Sequence, residues 1–374
     1  MFETWTHLSL QQYWWFIVSL LGGLFAFLMF VQGGQTLLNT LAKTEEEKNV
    51  IIASLGRKWE LGFTTLVMFG GAVFAAFPLL YAVSFGGAYF LWMAILFCFI
   101  IQAVSYEYRK KPNNFLGQKT FETFLYINGS AGIILIGIAL GTFFTGGHFI
   151  KDEMNLSAWM TNLYGLDALL NPFNVALGLS IFFLARVQAS LYFINNIEEV
   201  TIIERARKQL KRDALLFLGF FLLTAAMLLW MPGAVYENGT FVVTEHQFFW
   251  NLFSLPLILI GFLTGVVLIL FALYSALFKA SRKAIWFSGI GTALTVTSIL
   301  SLLGYNHTAI YPSLVDLQSS LSIENASGSH YTLTAMSYVS LFVPFVLGYI
   351  YLVWRSMDKT KITSEEIEAD HHHY

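Results

Sequence analysis

Residues 61–106, LGFTTLVMFGGAVFAAFPLLYAVSFGGAYFLWMAILFCFIIQAVSY, form 46 consecutive positions without one charged side chain. A membrane span needs about 20 residues, so the run is too long for one helix and must turn inside itself. Phe85-Gly86-Gly87-Ala88 is the small-residue break near its middle, which predicts helices over 61–84 and 88–107. Both flanks are basic, with Arg57 and Lys58 before the run and Arg109, Lys110 and Lys111 after it.

The same alternation runs through the whole chain. Nineteen of the 21 Lys and Arg residues fall in alternate gaps between apolar runs: residues 43–58, 109–119, 205–212, 279–283 and 355–361. The intervening gaps, near 85–88, 146–168, 232–246 and 305–330, hold only Lys151. Short cytoplasmic loops carry such an excess and translocated loops do not. The remaining apolar runs lie near 12–36, 121–145, 172–194, 214–231, 248–277, 285–304 and 333–354. The expectation is an all-α polytopic membrane protein with nine transmembrane helices, the N-terminus outside and the C-terminus cytoplasmic. An eight-helix count breaks the alternation. Residues 1–357 read as a single integral membrane domain, and 358–374 as a polar cytoplasmic tail ending in His371-His372-His373. Segment 197–213 reads as a cytoplasmic extension of the fifth helix.

Hydrophobic residues make up 56% of the chain and charged residues 12%, against about a quarter charged in soluble domains. The basic clusters read as topology and lipid-headgroup signals rather than a nucleic-acid surface. The N-terminus has no basic segment ahead of the first apolar run, so that run is expected to stay as a helix. Cys98 is alone and reads as a small buried hydrophobe.

The histidines His7, His148, His246, His307 and His330 all fall in predicted loops or at the termini. A chain binding haem between its own helices normally offers His, or His with Met, inside the spans. The expectation is therefore that this chain holds no haem or metal by itself. No phosphate loop, paired Cys or nucleophile elbow is present.

Charges inside spans are functional candidates because burying them in lipid is costly. Glu60, beside Trp59 at the start of the second helix, reads either as a proton-accepting group at a channel mouth or as a charge offsetting the helix dipole. Arg186 is the deepest charge. It must pair with an acid, a haem propionate or a lipid phosphate, or snorkel along its helix, the simpler reading. Glu107 and Glu122 lie beside basic residues and read as solvated or ion-paired. Gln32 and Gln35 flank Gly33-Gly34, where amides can hydrogen-bond between helices without the cost of charge.

Several ordered segments resemble subunit II of cytochrome bd-type quinol oxidases. Gly70-Gly71-Ala72-Val73-Phe74-Ala75-Ala76-Phe77-Pro78-Leu79-Leu80-Tyr81-Ala82 is similar to that family's second-helix signature. Trp59-Glu60 precedes it, and Tyr106-Glu107-Tyr108-Arg109 closes the third helix. Leu169-Leu170-Asn171-Pro172-Phe173, followed by Gln188 and Tyr192, resembles the entry to the fifth helix. Tyr311-Pro312-Ser313, Ser320-Leu321-Ser322-Ile323 and Asn325-Ala326-Ser327 resemble the last outer loop, and Thr332-Leu333 and Met336 the opening of the ninth helix.

The resemblance implies two four-helix bundles plus a peripheral ninth helix. It implies an accessory subunit paired with a homologous haem-bearing subunit I that carries the b-type and d-type haems. The complex would oxidise quinol and reduce oxygen to water with cytoplasmic protons, in the bacterial inner membrane. Trp59 and Glu60 become proton-pathway candidates, and Gln32, Gln35, Gln102, Arg186 and Gln188 interhelical polar candidates. The resemblance leaves room for a structural quinone or lipid in this subunit and for a small single-helix subunit beside it. The chain departs from the family where acids and an Arg are usual: it has Gln32-Gly33-Gly34-Gln35 in the first helix and Gln102 in the third. An internal ion pair exchanged for amides avoids stranding a lone buried charge. Two other readings compete: a polytopic transporter or channel, and a divergent oxidase lacking d-type haem.

Overall fold

The computed structural model describes residues 2–359 and 361–363. Most of the predicted tail, including His371–His373, lies outside the described residues. Among the described residues, eight helices are long and apolar enough to cross a membrane: α1 (His7–Gln35), α2 (Glu45–Ala76), α3 (Tyr89–Tyr108), α4 (Gln118–Thr145), α5 (Pro172–Asn196), α6 (Val200–Trp230), α7 (Pro256–Phe278) and α9 (His330–Met357). Between the last two lies α8 (Ala284–Leu300), 17 residues long and at the lower limit for a span. The count of nine therefore includes one short helix, which packs between α1 and α7.

Local chemistry sets the helix ends. Asn171 caps α5 by accepting from the backbone N–H groups of Phe173 and Asn174, with Pro172 at the first helical position, where its missing N–H costs nothing. Thr6 and Thr44 cap α1 and α2 in the same way. The uncharged run breaks at Phe77-Pro78, because proline removes a helical hydrogen bond. A π turn over Tyr81–Gly87 then leads into α3. The indole of Trp159 lies against Gly87 and donates to the Val83 carbonyl at 3.0 Å, so the turn is pinned by a residue from a distant loop.

One expectation is corrected. Segment 197–213 is not an extension of the fifth helix: α5 ends at Asn196, and Val200 begins α6. Ile197 is extended and bridges Ile362, and that pairing replaces helix continuation. The 31 residues of α6 span about 46 Å at 1.5 Å per residue, well beyond the hydrocarbon core.

The first four helices and the next four form two bundles joined chiefly through α5, which packs on both α1 and α4. Glycines set the crossings. A Cβ on Gly137 of α4 would stand 2.5 Å from the Gly178 Cα of α5, and one on Gly265 of α7 would stand 2.7 Å from the Gly291 carbonyl of α8. Helices in lipid gain from such close backbone approach because no hydrophobic driving force holds them together. Gly178→Val is expected to destabilise the α4–α5 crossing by about 1–3 kcal/mol. The readout is the melting temperature of the solubilised complex; an unchanged value would mean that the crossing relaxes freely.

At the end opposite the basic loops, two antiparallel hairpins, β1 (Phe149–Lys151) with β2 (Ser157–Trp159) and β3 (Gly233–Glu237) with β4 (Thr240–Thr244), pack with segment 305–327. Tyr311 is buried there, stacked on Phe149 at 5.5 Å. Burial pushes its hydroxyl above the usual tyrosine range.

Candidate functional site

The polar residues inside this apolar scaffold concentrate near the basic end, where α1, α3, α4 and α5 meet. Gln102 of α3 is at the centre. Its Oε1 accepts from the Gln32 amide at 3.0 Å, from Gln35 at 2.7 Å and from Asn128 at 2.5 Å. Asn128 also donates to Gln35 Oε1 at 3.0 Å, and Gln35 donates to the Tyr106 hydroxyl at 3.2 Å. All five side chains are buried. Three of their polar atoms, Gln32 Oε1, Gln102 Nε2 and Asn128 Oδ1, have no partner among the described residues.

Three helices contribute to the cluster. Gln32 and Gln35 lie one turn apart on α1, past a break at Met29. Asn128 opens a π turn over Asn128–Gly132 in α4, a distortion that often marks a functional position. Gly129 leaves no side chain between that turn and the Gln32 backbone.

Trp59 joins the cluster from outside by stacking on Tyr106, with ring centroids 5.7 Å apart and planes at 14°. Glu60 is exposed and makes no ion pair among the described residues. Its helix shares an exposed apolar surface with α3: Phe63, Val67 and Phe74 on one, Phe97, Ile100 and Val104 on the other. The two residues of the predicted proton-pathway pair therefore differ, Trp59 facing inward and Glu60 outward.

Arg186 does not snorkel. Its Nε lies 3.1 Å from Asp213 Oδ1 on α6, and its Nη1 donates to Thr36 Oγ1 at 2.8 Å. Thr36 in turn donates to the Gly33 carbonyl, so the arginine abuts the first-helix segment that carries the amides. Gln188, on the same helix, stands apart and donates to Thr292 of α8 at 2.6 Å. The structure thus joins Gln32, Gln35 and Gln102, places Arg186 next to them, and leaves Gln188 in the second bundle.

Two further buried charge clusters complete the basic end. The Arg109 guanidinium, fully buried, binds Glu122 at 2.7 Å and Asn49 at 3.0 Å, and Lys48 reaches the same carboxylate at 3.0 Å. Burial, with Arg109 beside it, holds the Lys110 ammonium below the usual lysine range. The Lys58 ammonium is also fully buried and pairs with Asp358 at 3.0 Å; Asn196 donates to the same carboxylate oxygen at 2.9 Å. Ile362 is buried beyond it. The start of the predicted polar tail is therefore docked rather than solvated.

Sequence reasoning misses Asn128, Asp213 and Asp358 as site residues. Asn128 carried a usable signal, an amide inside the uncharged run that follows Glu122. Asp213 had none, because it sits among Lys211 and Arg212 and looks like loop charge.

A model of the family described as cytochrome bd terminal oxidase subunit II matches residues 10–357. The chain belongs to that family. Cytochrome bd-I ubiquinol oxidase subunit 2 of Escherichia coli K12 is 26% identical over 379 aligned positions, covering 96% of this chain and 97% of its own. Cytochrome bd ubiquinol oxidase subunit 2 of Bacillus subtilis is 26% identical over 345 positions, covering 91% and 93%. The probable cytochrome oxidase subunit 2 of Haemophilus influenzae is 27% identical over 359 positions, covering 91% and 92%. Among solved structures, the bd oxidase of Geobacillus thermodenitrificans shares the fold, with a TM-score of 0.67 over 94% of this chain and 100% of that one at 14% identity. As a bd oxidase subunit II, the chain is part of a haem-containing terminal quinol oxidase of the bacterial inner membrane, working in a complex with a subunit I.

Proposed function

We propose that this subunit II carries no haem of its own, stabilises the haem-bearing subunit I, and admits protons from the cytoplasm at Glu60. The observation that carries the reading is Glu60 itself, an exposed carboxylate at the basic end of the apolar α2–α3 surface. That surface suits docking of the partner, which would cover Glu60 and enclose a proton entry between the two chains. The basic ends of the helices are taken as cytoplasmic, with the N-terminus outside, following the Lys and Arg asymmetry.

The donor set does not fit a haem held within this chain. The described histidines lie at the opposite end: His148 pairs with Asp167, His307 with Glu324, His7 with the Gly328 carbonyl and His330 with the Trp5 carbonyl, and the His246 ring packs on Trp230. The b-type and d-type haems belong, on this reading, to the partner, which supplies the electron transfer and oxygen chemistry. The chain's own residues hold the helices in register and place one carboxylate.

The proton route does not continue inward. Beyond Trp59 the buried groups are Tyr106 and four amides, none of which readily changes charge near neutral pH. Glu60 therefore serves a path along the interface with the partner. Glu60→Gln should slow quinol-driven oxygen consumption by about 10²-fold or more, with haem content unchanged in the reduced-minus-oxidised spectrum. Full turnover in that variant would remove Glu60 from the route. The same spectrum tests the haem types of the complex, since the complex isolated through this chain should show both b- and d-type bands.

A further inference from the structure

An apolar groove of about 350 Å³ runs between α1, α2 and α9. Leu24 and Phe27 of α1, Ala72 of α2 and Leu347 of α9 are among its lining residues, and Trp286 and Trp354 stand at its basic end with ring centroids 5.6 Å apart. Indoles at a span end mark the membrane interface, so the groove extends from the headgroup level into the hydrocarbon layer.

Three features of that mouth specify an occupant. First, the groove wall is apolar along its length, which suits an acyl chain. Second, the mouth is basic: exposed Lys283 precedes Trp286 by one helical turn, and exposed Arg355 adjoins Trp354. Neither has a salt-bridge partner among the described residues. Asp358, one turn beyond Trp354, is already taken by Lys58. Third, the Trp354 indole N–H is buried without a hydrogen-bond partner among the described residues, and an unpaired buried donor is costly to leave unmade.

We propose that the α1–α2–α9 groove binds one anionic phospholipid. One of its acyl chains fills the groove, its phosphate lies between Lys283 and Arg355, and an ester or phosphate oxygen accepts from Trp354 once the mouth opens around it. The buried Lys58–Asp358 pair holds the end of α9 in place and so keeps the mouth formed. The site is independent of the Glu60 proton route, and failure of either leaves the other standing.

The test uses the whole complex in mild detergent, stripped of lipid and titrated with phosphatidylglycerol or with phosphatidylcholine of the same chain length. Thermal stabilisation is followed beside native mass spectrometry. Phosphatidylglycerol should remain bound through purification and stabilise at lower concentration than phosphatidylcholine. Lys283→Gln/Arg355→Gln, two exposed positions that should not disturb folding, should weaken phosphatidylglycerol roughly tenfold or more and abolish the preference. Ala72→Trp, which fills the groove, should reduce binding of both lipids. Equal binding of the two lipids by the unmodified complex, retention of the preference in the double variant, or a neutral isoprenoid occupying the groove in place of phospholipid would overturn the proposal.

Discussion

Asp358→Ala is expected to destabilise the solubilised complex by about 3–5 kcal/mol, the cost of leaving a buried charge without its partner. The Lys58 ammonium is fully buried, and Asp358 is its one counter-ion among the described residues. Its other neighbours are Met357 Sδ at 3.4 Å and the Trp354 ring at 5.2 Å, neither of which replaces a carboxylate. The substitution also removes the acceptor for Asn196, whose amide otherwise bonds Tyr192, so the junction between α5 and α6 loosens with the tail. Lys58→Met/Asp358→Leu removes both charges and should recover most of the loss, since an apolar pair of similar volume often substitutes for a buried ion pair. Melting curves of the two variants decide the matter. A single variant as stable as the parent would mean that the tail is not docked in the assembled protein.

Arg186→Leu should have a comparable effect by a different route. Asp213 has only 2% of its side chain exposed and would keep a single amide donor, Gln209 at 3.1 Å. The expected loss is again about 3–5 kcal/mol, seen as poor assembly and reduced haem retention in the complex. Arg186→Leu/Asp213→Leu should restore much of it, and the coupling from that double-mutant cycle measures the pair. Removing one amide of the central cluster, by contrast, costs about 1–3 kcal/mol when a donor or acceptor is left unpaired. A stable, fully haem-loaded Arg186→Leu complex would return Arg186 to the snorkelling reading.

The central cluster differs from the ion-paired ones in carrying no charge. Where the resemblance implies acids against an arginine, this chain has Gln32, Gln35 and Gln102 with Asn128. An amide can both donate and accept, and these four meet around Gln102 Oε1 and Gln35 without any net charge in a low-dielectric interior. The cluster holds no carboxylate, which is why the proposed proton route stays at the surface carboxylate.

The sequence by itself determined the class, the approximate spans and their alternation. Those depend on composition and on the placement of Lys and Arg, which the bilayer reads locally, one segment at a time. It also marked Gln32, Gln35 and Gln102 as polar residues that needed partners. Only the tertiary structure decided who those partners are. Arg186 finds Asp213 across 27 positions and Lys58 finds Asp358 across 300, and neither acid is distinguishable by its neighbours from an ordinary loop charge. The docked tail and the α5–α6 break are decided at the same level, because the Ile197–Ile362 bridge joins segments that no local pattern connects. A hydrophobic run states where a helix lies in the membrane; which face meets which neighbour depends on close packing between distant segments, and the glycine crossings and paired charges settle that only once all nine helices are in place.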